Sequence, residues 1–133
     1  MERYTIDTVA FLAYLIDVLP PKSNAIFQKA ENEEIILILP SIVIGETIYT
    51  ILKQKEVFGK LIPVEKISEI FEIIQGSESI LLVDMNIESW KMLLTINISE
   101  LHDRMIIATH LVYNSKAIIT DDHQIVSITN TIW

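Results

Sequence analysis

The run Ile35-Ile36-Leu37-Ile38-Leu39 is five consecutive apolar residues, closed by Pro40-Ser41. A strand that faces water on one side alternates apolar with polar residues. An unbroken run of this length reads instead as a strand buried on both faces, as in a parallel sheet covered by helices. The same short runs recur at Arg3–Asp7, Ser79–Val83 and Ala117–Thr120, and the tail Ile125–Trp133 is expected to add a short edge strand. Between them lie segments of helical period. These predict helices over Thr8–Leu19, stopping at Pro20-Pro21, over Ser23–Asn32, and over Ser41–Glu56 with Ser41 as N-cap. Further helices are expected from Pro63 to Gly76, after a turn at Gly59–Ile62, and over Ile87–Asn97 and Glu100–Asn114. Strands alternating with helices imply an α/β fold, a three-layer α/β/α sandwich around a mainly parallel sheet of four to five strands.

A chain of 133 residues has room for one ordinary domain, here residues 1–133, and can bury roughly two thirds of its unfolded surface. No repeat or Pro/Gly/Ser linker divides it. With no cysteine, a disulfide scaffold, a thiolate zinc site and a cysteine nucleophile are all excluded, which suits a reducing cytoplasm. The mean hydropathy is +0.40. Yet Val9–Leu19 is broken by Asp17 and Ile35–Ile44 by Pro40, so neither approaches the ~20 apolar residues of a spanning helix. The opening Met1-Glu2-Arg3 puts an acid where a secretory signal has basic residues, so a cytoplasmic protein with no membrane association is expected. The net charge of −8 argues against a module that binds nucleic acid by neutralising phosphate. It does not argue against a metal-dependent nuclease, because bound divalent ions reverse the charge of an acidic site.

In open parallel sheets the chemistry lies beyond the carboxyl ends of the strands. Asp7 closes the first strand there and Asp122 follows the last long one; Glu46 and Asp103 lie near the starts of helices that begin at the same edge. Glu46 has Ile42, Val43, Tyr49 and Thr50 as helical neighbours and no basic residue in reach, so it should be partly buried at some cost. Carboxylates crowded together repel, and a hard divalent cation with oxygen ligands relieves that repulsion.

Each acid has a plainer reading. Asp7 can cap the helix after it, Asp103 suits a first helical turn, and Asp121-Asp122 is ordinary turn chemistry before a short helix. His102, His110 and His123 lack zinc-ligand spacing, and His102 and His123 read as solvated. Lys53, Lys55 and Lys60 form the one basic cluster, by default a solvated helix end. Phe11, Tyr14, Phe27, Phe71 and Trp90 fall at apolar helical positions, as core or as dimer surface.

Four segments together carry a resemblance. Ile6-Asp7-Thr8, Pro40–Glu46, Leu101–Thr109 and Ile118–Asp122 are similar, in order and spacing, to the four motif blocks of PIN domains, among them the VapC-type toxins of prokaryotic, often archaeal, toxin–antitoxin pairs. The resemblance implies an endoribonuclease using Mg²⁺ or Mn²⁺, with Asp7, Glu46, Asp103 and Asp122 as catalytic, metal-binding acids. Asp121, where the family often has a basic or small residue, is a further ligand or a helper. Thr120, and Thr8 beside Asp7, would support the acids. It also implies an RNA substrate, a homodimer, and a small antitoxin that places a basic side chain among the acids. The alternative is a PIN fold kept as an inactive binding or scaffold module. A phosphotransfer receiver fits poorly, since its paired acids belong after the first strand, and a haloacid-dehalogenase-type phosphatase fails because Val9 stands where its second Asp belongs.

Overall fold

The computed structural model describes residues 1–133. Five strands form one sheet: β1 (Arg3–Ile6), β2 (Ile36–Pro40), β3 (Ile80–Val83), β4 (Ala117–Ile119) and β5 (Thr131–Ile132). Their order across the sheet is β3-β2-β1-β4-β5, and every pairing is parallel. The central strands are buried on both faces, with Ile6, Ile38, Leu39, Ile118 and Ile119 fully inaccessible. The apolar run of β2 therefore sits where its composition requires.

The chain steps from β1 to β2 to β3 in one direction through α1 (Thr8–Leu15), α2 (Pro21–Glu31), α3 (Ser41–Leu52) and α4 (Lys66–Gly76). It then crosses back over two strands through α5 (Ile87–Leu93) and α6 (Leu101–Val112), and finishes through α7 (His123–Val126). Right-handed crossovers running in opposite directions place their helices on opposite faces, which yields the α/β/α layering. The direction changes between β1 and β4, where Ile6 pairs with Ile119. That pair is the switch point of the sheet, the place where a crevice opens above the strand ends. No helix is long and apolar enough to cross a membrane.

Several boundaries differ from the sequence expectation, each for a local reason. The helix expected to reach Leu19 ends at Leu15, because Asp17 turns left-handed (φ 59°) and the amides of Asp17 and Val18 close back onto Tyr14 and Ala13. Glu33, Gln54 and Asn114 stop α2, α3 and α6 in the same way, at φ 59°, 51° and 51°. This is the Schellman stop, built here without glycine. Pro63 does not begin α4; a tight turn comes first, with Lys66 and Ile67 bonded three residues back to Pro63 and Val64. The same i−3 bonding at Leu94, Thr95 and Ile96 ends α5 short of Asn97. Ser41 is the first helical residue of α3 rather than its cap, which is Pro40 with no side-chain bond. Of the expected tail, Ile125 and Val126 end α7, which Asp122 caps and fully buried Ile125 anchors, and the short edge strand is Thr131–Ile132, paired with β4.

Phe11 and Phe27 are in the core and Tyr14 stacks on Phe27 with ring centres 4.6 Å apart. Phe71 and Trp90 are largely exposed. A left-handed non-glycine residue costs about 1–2 kcal/mol, partly offset in glycine by its greater freedom when unfolded. Glu33→Gly is therefore expected to raise stability by about 0.5–1 kcal/mol in chemical denaturation. A loss of stability would show that the Glu33 side chain contributes more than its backbone strain removes.

Candidate functional site

Strand pairing builds the centre of the site. The amide of Asp7 donates to the Ile119 carbonyl at 3.4 Å, so Asp7 and the Thr120-Asp121-Asp122 segment leave neighbouring strand ends side by side. Asp7 is 5% exposed and caps α1, its Oδ1 accepting from the Ala10 amide at 2.8 Å. Burial pushes its carboxyl up to about 7, and the charges of Asp121 and Asp122 push the same way; Thr120 and the Ala10 amide pull against them. Desolvation is thus the larger cause, and repulsion between acids the smaller.

Asp122 caps α7, its Oδ1 accepting from the amides of Gln124 and Ile125 at 2.9 and 3.2 Å. The Thr120 hydroxyl accepts from the Asp122 amide at 3.0 Å and so fixes the turn that carries it. Asp121 is exposed. Asp103, in the first turn of α6, is raised to about 6 by partial burial and then by the charges of Asp122, Glu100 and Glu46, with His102 opposing. The plain capping and first-turn roles of these acids are real, and they coexist with the crowding.

Glu46 is half-buried on α3, and both its oxygens are engaged. Thr8 Oγ1 donates to Oε1 at 2.5 Å, and His102 Nδ1 meets Oε2 at 2.8 Å. Here the sequence reading is corrected: His102 is not simply solvated but ties α6 to α3 while lying 3.5 Å from Glu100. No cation lies at helical spacing from Glu46 along α3; its partner comes from 56 residues away. The only sequence signal was the pairing of an acid lacking a local cation with a histidine beside Asp103. His123 is exposed, and His110 is buried far from these acids among Ser115 and Thr129.

The structure therefore brings Asp7 under the charges of Asp121 and Asp122, and Asp103 under those of Asp122, Glu100 and Glu46, so that Asp122 links the two. None of the four aspartates has a Lys, Arg or His within 4.0 Å, the ion pairs of the chain being Lys66–Glu69, Lys116–Glu2 and those of His102. The nearest arginine in sequence, Arg104, turns its guanidinium to the Ile98 carbonyl instead. No three Asp, Glu or His side chains are arranged to hold one ion as they stand. In type the donors suit a hard divalent cation, being all oxygen, anionic and for the most part partly desolvated, and no aspartate among them is in an ion pair.

The sequence matches the PIN domain family over residues 4–130, nearly the whole chain. The chain is a PIN domain. Among solved structures it is similar to VapBC2 from Rickettsia felis bound to a promoter DNA fragment, with TM-score 0.66 and 17% identity over 98% of this chain and 96% of the other. It is similar also to a toxin–antitoxin complex from Klebsiella pneumoniae, with TM-score 0.68 and 11% identity over 98% and 96%. A third is VapC20 of Mycobacterium tuberculosis, a toxin that cleaves the sarcin-ricin loop, with TM-score 0.63 and 11% identity over 93% of each chain. At such identities the likeness is one of fold. No curated protein matches this PIN domain in sequence.

The raised carboxyl of Asp7 has a measurable consequence. Its ordinary value is 3.8 and its folded value about 7, so between these pH values the folded PIN domain retains a proton that the unfolded chain has released. Its contribution to stability falls as pH rises through that window and is constant above it. Buried His110, held below 6.5, acts oppositely, costing stability as pH falls. In metal-free buffer the Tm of Asp7→Asn minus that of wild type should therefore grow from pH 4 to 7.5. Asn caps a helix as well as Asp does, so the cap is kept. A difference that stays flat with pH would show that Asp7 ionises normally in the fold.

Proposed function

We propose that this PIN domain is an endoribonuclease that hydrolyses phosphodiester bonds with Mg²⁺ or Mn²⁺, and that it is the toxin of a toxin–antitoxin pair. The observation that carries the reading is the set of aspartates at the switch point, two of them raised to about 7 and 6 and none in an ion pair. Asp7, Asp103 and Asp122 would hold the ion, joined by Glu46, with Asp121 as a further ligand or helper. Bound there, a divalent ion would supply an activated water and charge stabilisation for the leaving oxygen. The remaining work falls to the chain. Thr120 fixes the Asp122 turn, and Thr8 and His102 hold Glu46 over the same crevice.

The toxin reading draws support from the fold shared with the Rickettsia and Klebsiella assemblies and with the RNA-cleaving Mycobacterium toxin. By that analogy the substrate is RNA, the protein is a cytoplasmic homodimer, and a small antitoxin inserts a basic side chain among the acids. The exposed Phe71, Trp90 and Leu94 offer apolar surface for such contacts. The second reading is an inactive PIN scaffold, which the presence of Asp7, Glu46, Asp103 and Asp122 disfavours.

Cleavage of a mixed RNA pool tests the proposal, comparing wild type in Mg²⁺ or Mn²⁺, wild type in EDTA, and Asp7→Asn. Metal-dependent cutting is expected, reduced at least about 100-fold by the substitution. Folded protein that neither cuts RNA nor binds Mn²⁺ in calorimetry would establish the scaffold instead.

A further inference from the structure

On α3, Ile42, Gly45 and Tyr49 follow one another at steps of three and four, forming one stripe of the helix surface. Beside that stripe lies a groove of about 440 Å³. It runs from Thr8, Glu46 and His102, past Gly45, to Tyr49 and Lys55. One end is therefore the edge of the acidic site, and the other is aromatic and basic.

Three features shape the far end. A Cβ built on Gly45 meets nothing within 4 Å, so the missing side chain leaves open space rather than relieving a packing clash. Glycine inside an exposed helix is unfavourable, and nothing in the local packing demands it here. Tyr49 is 53% exposed on the groove wall. Lys53 lies one helical turn beyond Tyr49 and the left-handed Gln54 folds Lys55 back, and their ammonium groups lie 5.8 and 5.0 Å from the Tyr49 ring centre. In a chain of net charge −8, two cations thus converge on one exposed ring next to the acids.

We propose that this groove seats one nucleotide of single-stranded RNA adjacent to the phosphate that is cut; the inference rests on the nuclease reading. Its base stacks on Tyr49 over the gap left by Gly45, and Lys53 and Lys55 take its phosphate. A base stacks on tyrosine more strongly than an exposed ammonium does, so it displaces the lysines from the ring toward the backbone charge. The groove volume is that of a small-ligand site, enough for one nucleotide and not for a duplex. The two lysines also answer the difficulty posed by an acidic chain, by placing positive charge where the strand enters.

The test uses the full chain carrying Asp7→Asn, in Mg²⁺, and a fluorescein-labelled random-sequence single-stranded RNA octamer followed by anisotropy. Tyr49→Leu should weaken binding about tenfold or more, and Tyr49→Phe should restore it. Gly45→Leu should weaken binding similarly while leaving Tm unchanged or higher, a combination that a merely structural glycine would not produce. Lys53→Gln and Lys55→Gln should each reduce the slope of log affinity against log salt by about 0.7. RNA binding that is indifferent to Tyr49→Leu and Gly45→Leu overturns the inference and leaves the nuclease standing. So does RNA cutting by an otherwise wild-type chain that Tyr49→Leu and Gly45→Leu leave unchanged. A wild type that neither binds nor cuts the RNA overturns both readings.

Discussion

The pairing of β1 with β4 is the contact on which the rest of the molecule depends. It joins residues more than a hundred positions apart, Ile6 with Ile119, in the middle of the sheet. Every strand to one side comes from the first part of the chain and every strand to the other from the last. Because the pairing is parallel, both strands deliver their ends to the same edge. A slip of one residue would turn Ile6 and Ile119 out of their layers, so the fully buried isoleucines set the register. The same register places Asp7 beside Thr120 and the two aspartates after it. Core packing and site assembly are therefore one constraint.

Much of this was legible because the decisive signals are local and strong. Five apolar residues in a row can be little other than a doubly covered strand, and the alternation with helical segments leads to the parallel sheet. The helix ends were harder. Sequence reading looks for glycine where a helix turns left-handed, and this chain uses Asp17, Glu33, Gln54 and Asn114 there. Prolines misled in a related way: Pro20-Pro21 stands beyond the true end of α1, and Pro63 opens a turn rather than α4. The short helix after Asp121-Asp122 was expected, but not its extent, because Ile125 and Val126 read equally well as strand.

The site divides along the same line. Asp7, Glu46, Asp103 and Asp122 could be placed at one edge of the sheet from topology alone, since each is next to a strand end or near the start of a helix, whereas Asp121 entered through the family resemblance. The state of each acid could not, because burial dominates at Asp7 and burial is a property of the packed whole. The tie between Glu46 and His102 was also out of reach. It depends on how α6 leans over α3, which no spacing rule expresses.

That tie has a consequence for rigidity. Glu46 is gripped by a hydroxyl from α1 and an imidazole from α6, so one carboxylate fastens three helices drawn from distant parts of the chain. Each of these hydrogen bonds contributes about 0.5–1.5 kcal/mol, and more where charge is involved. Each oxygen keeps a further lone pair, so the fastening fixes the direction of the carboxylate without using it up.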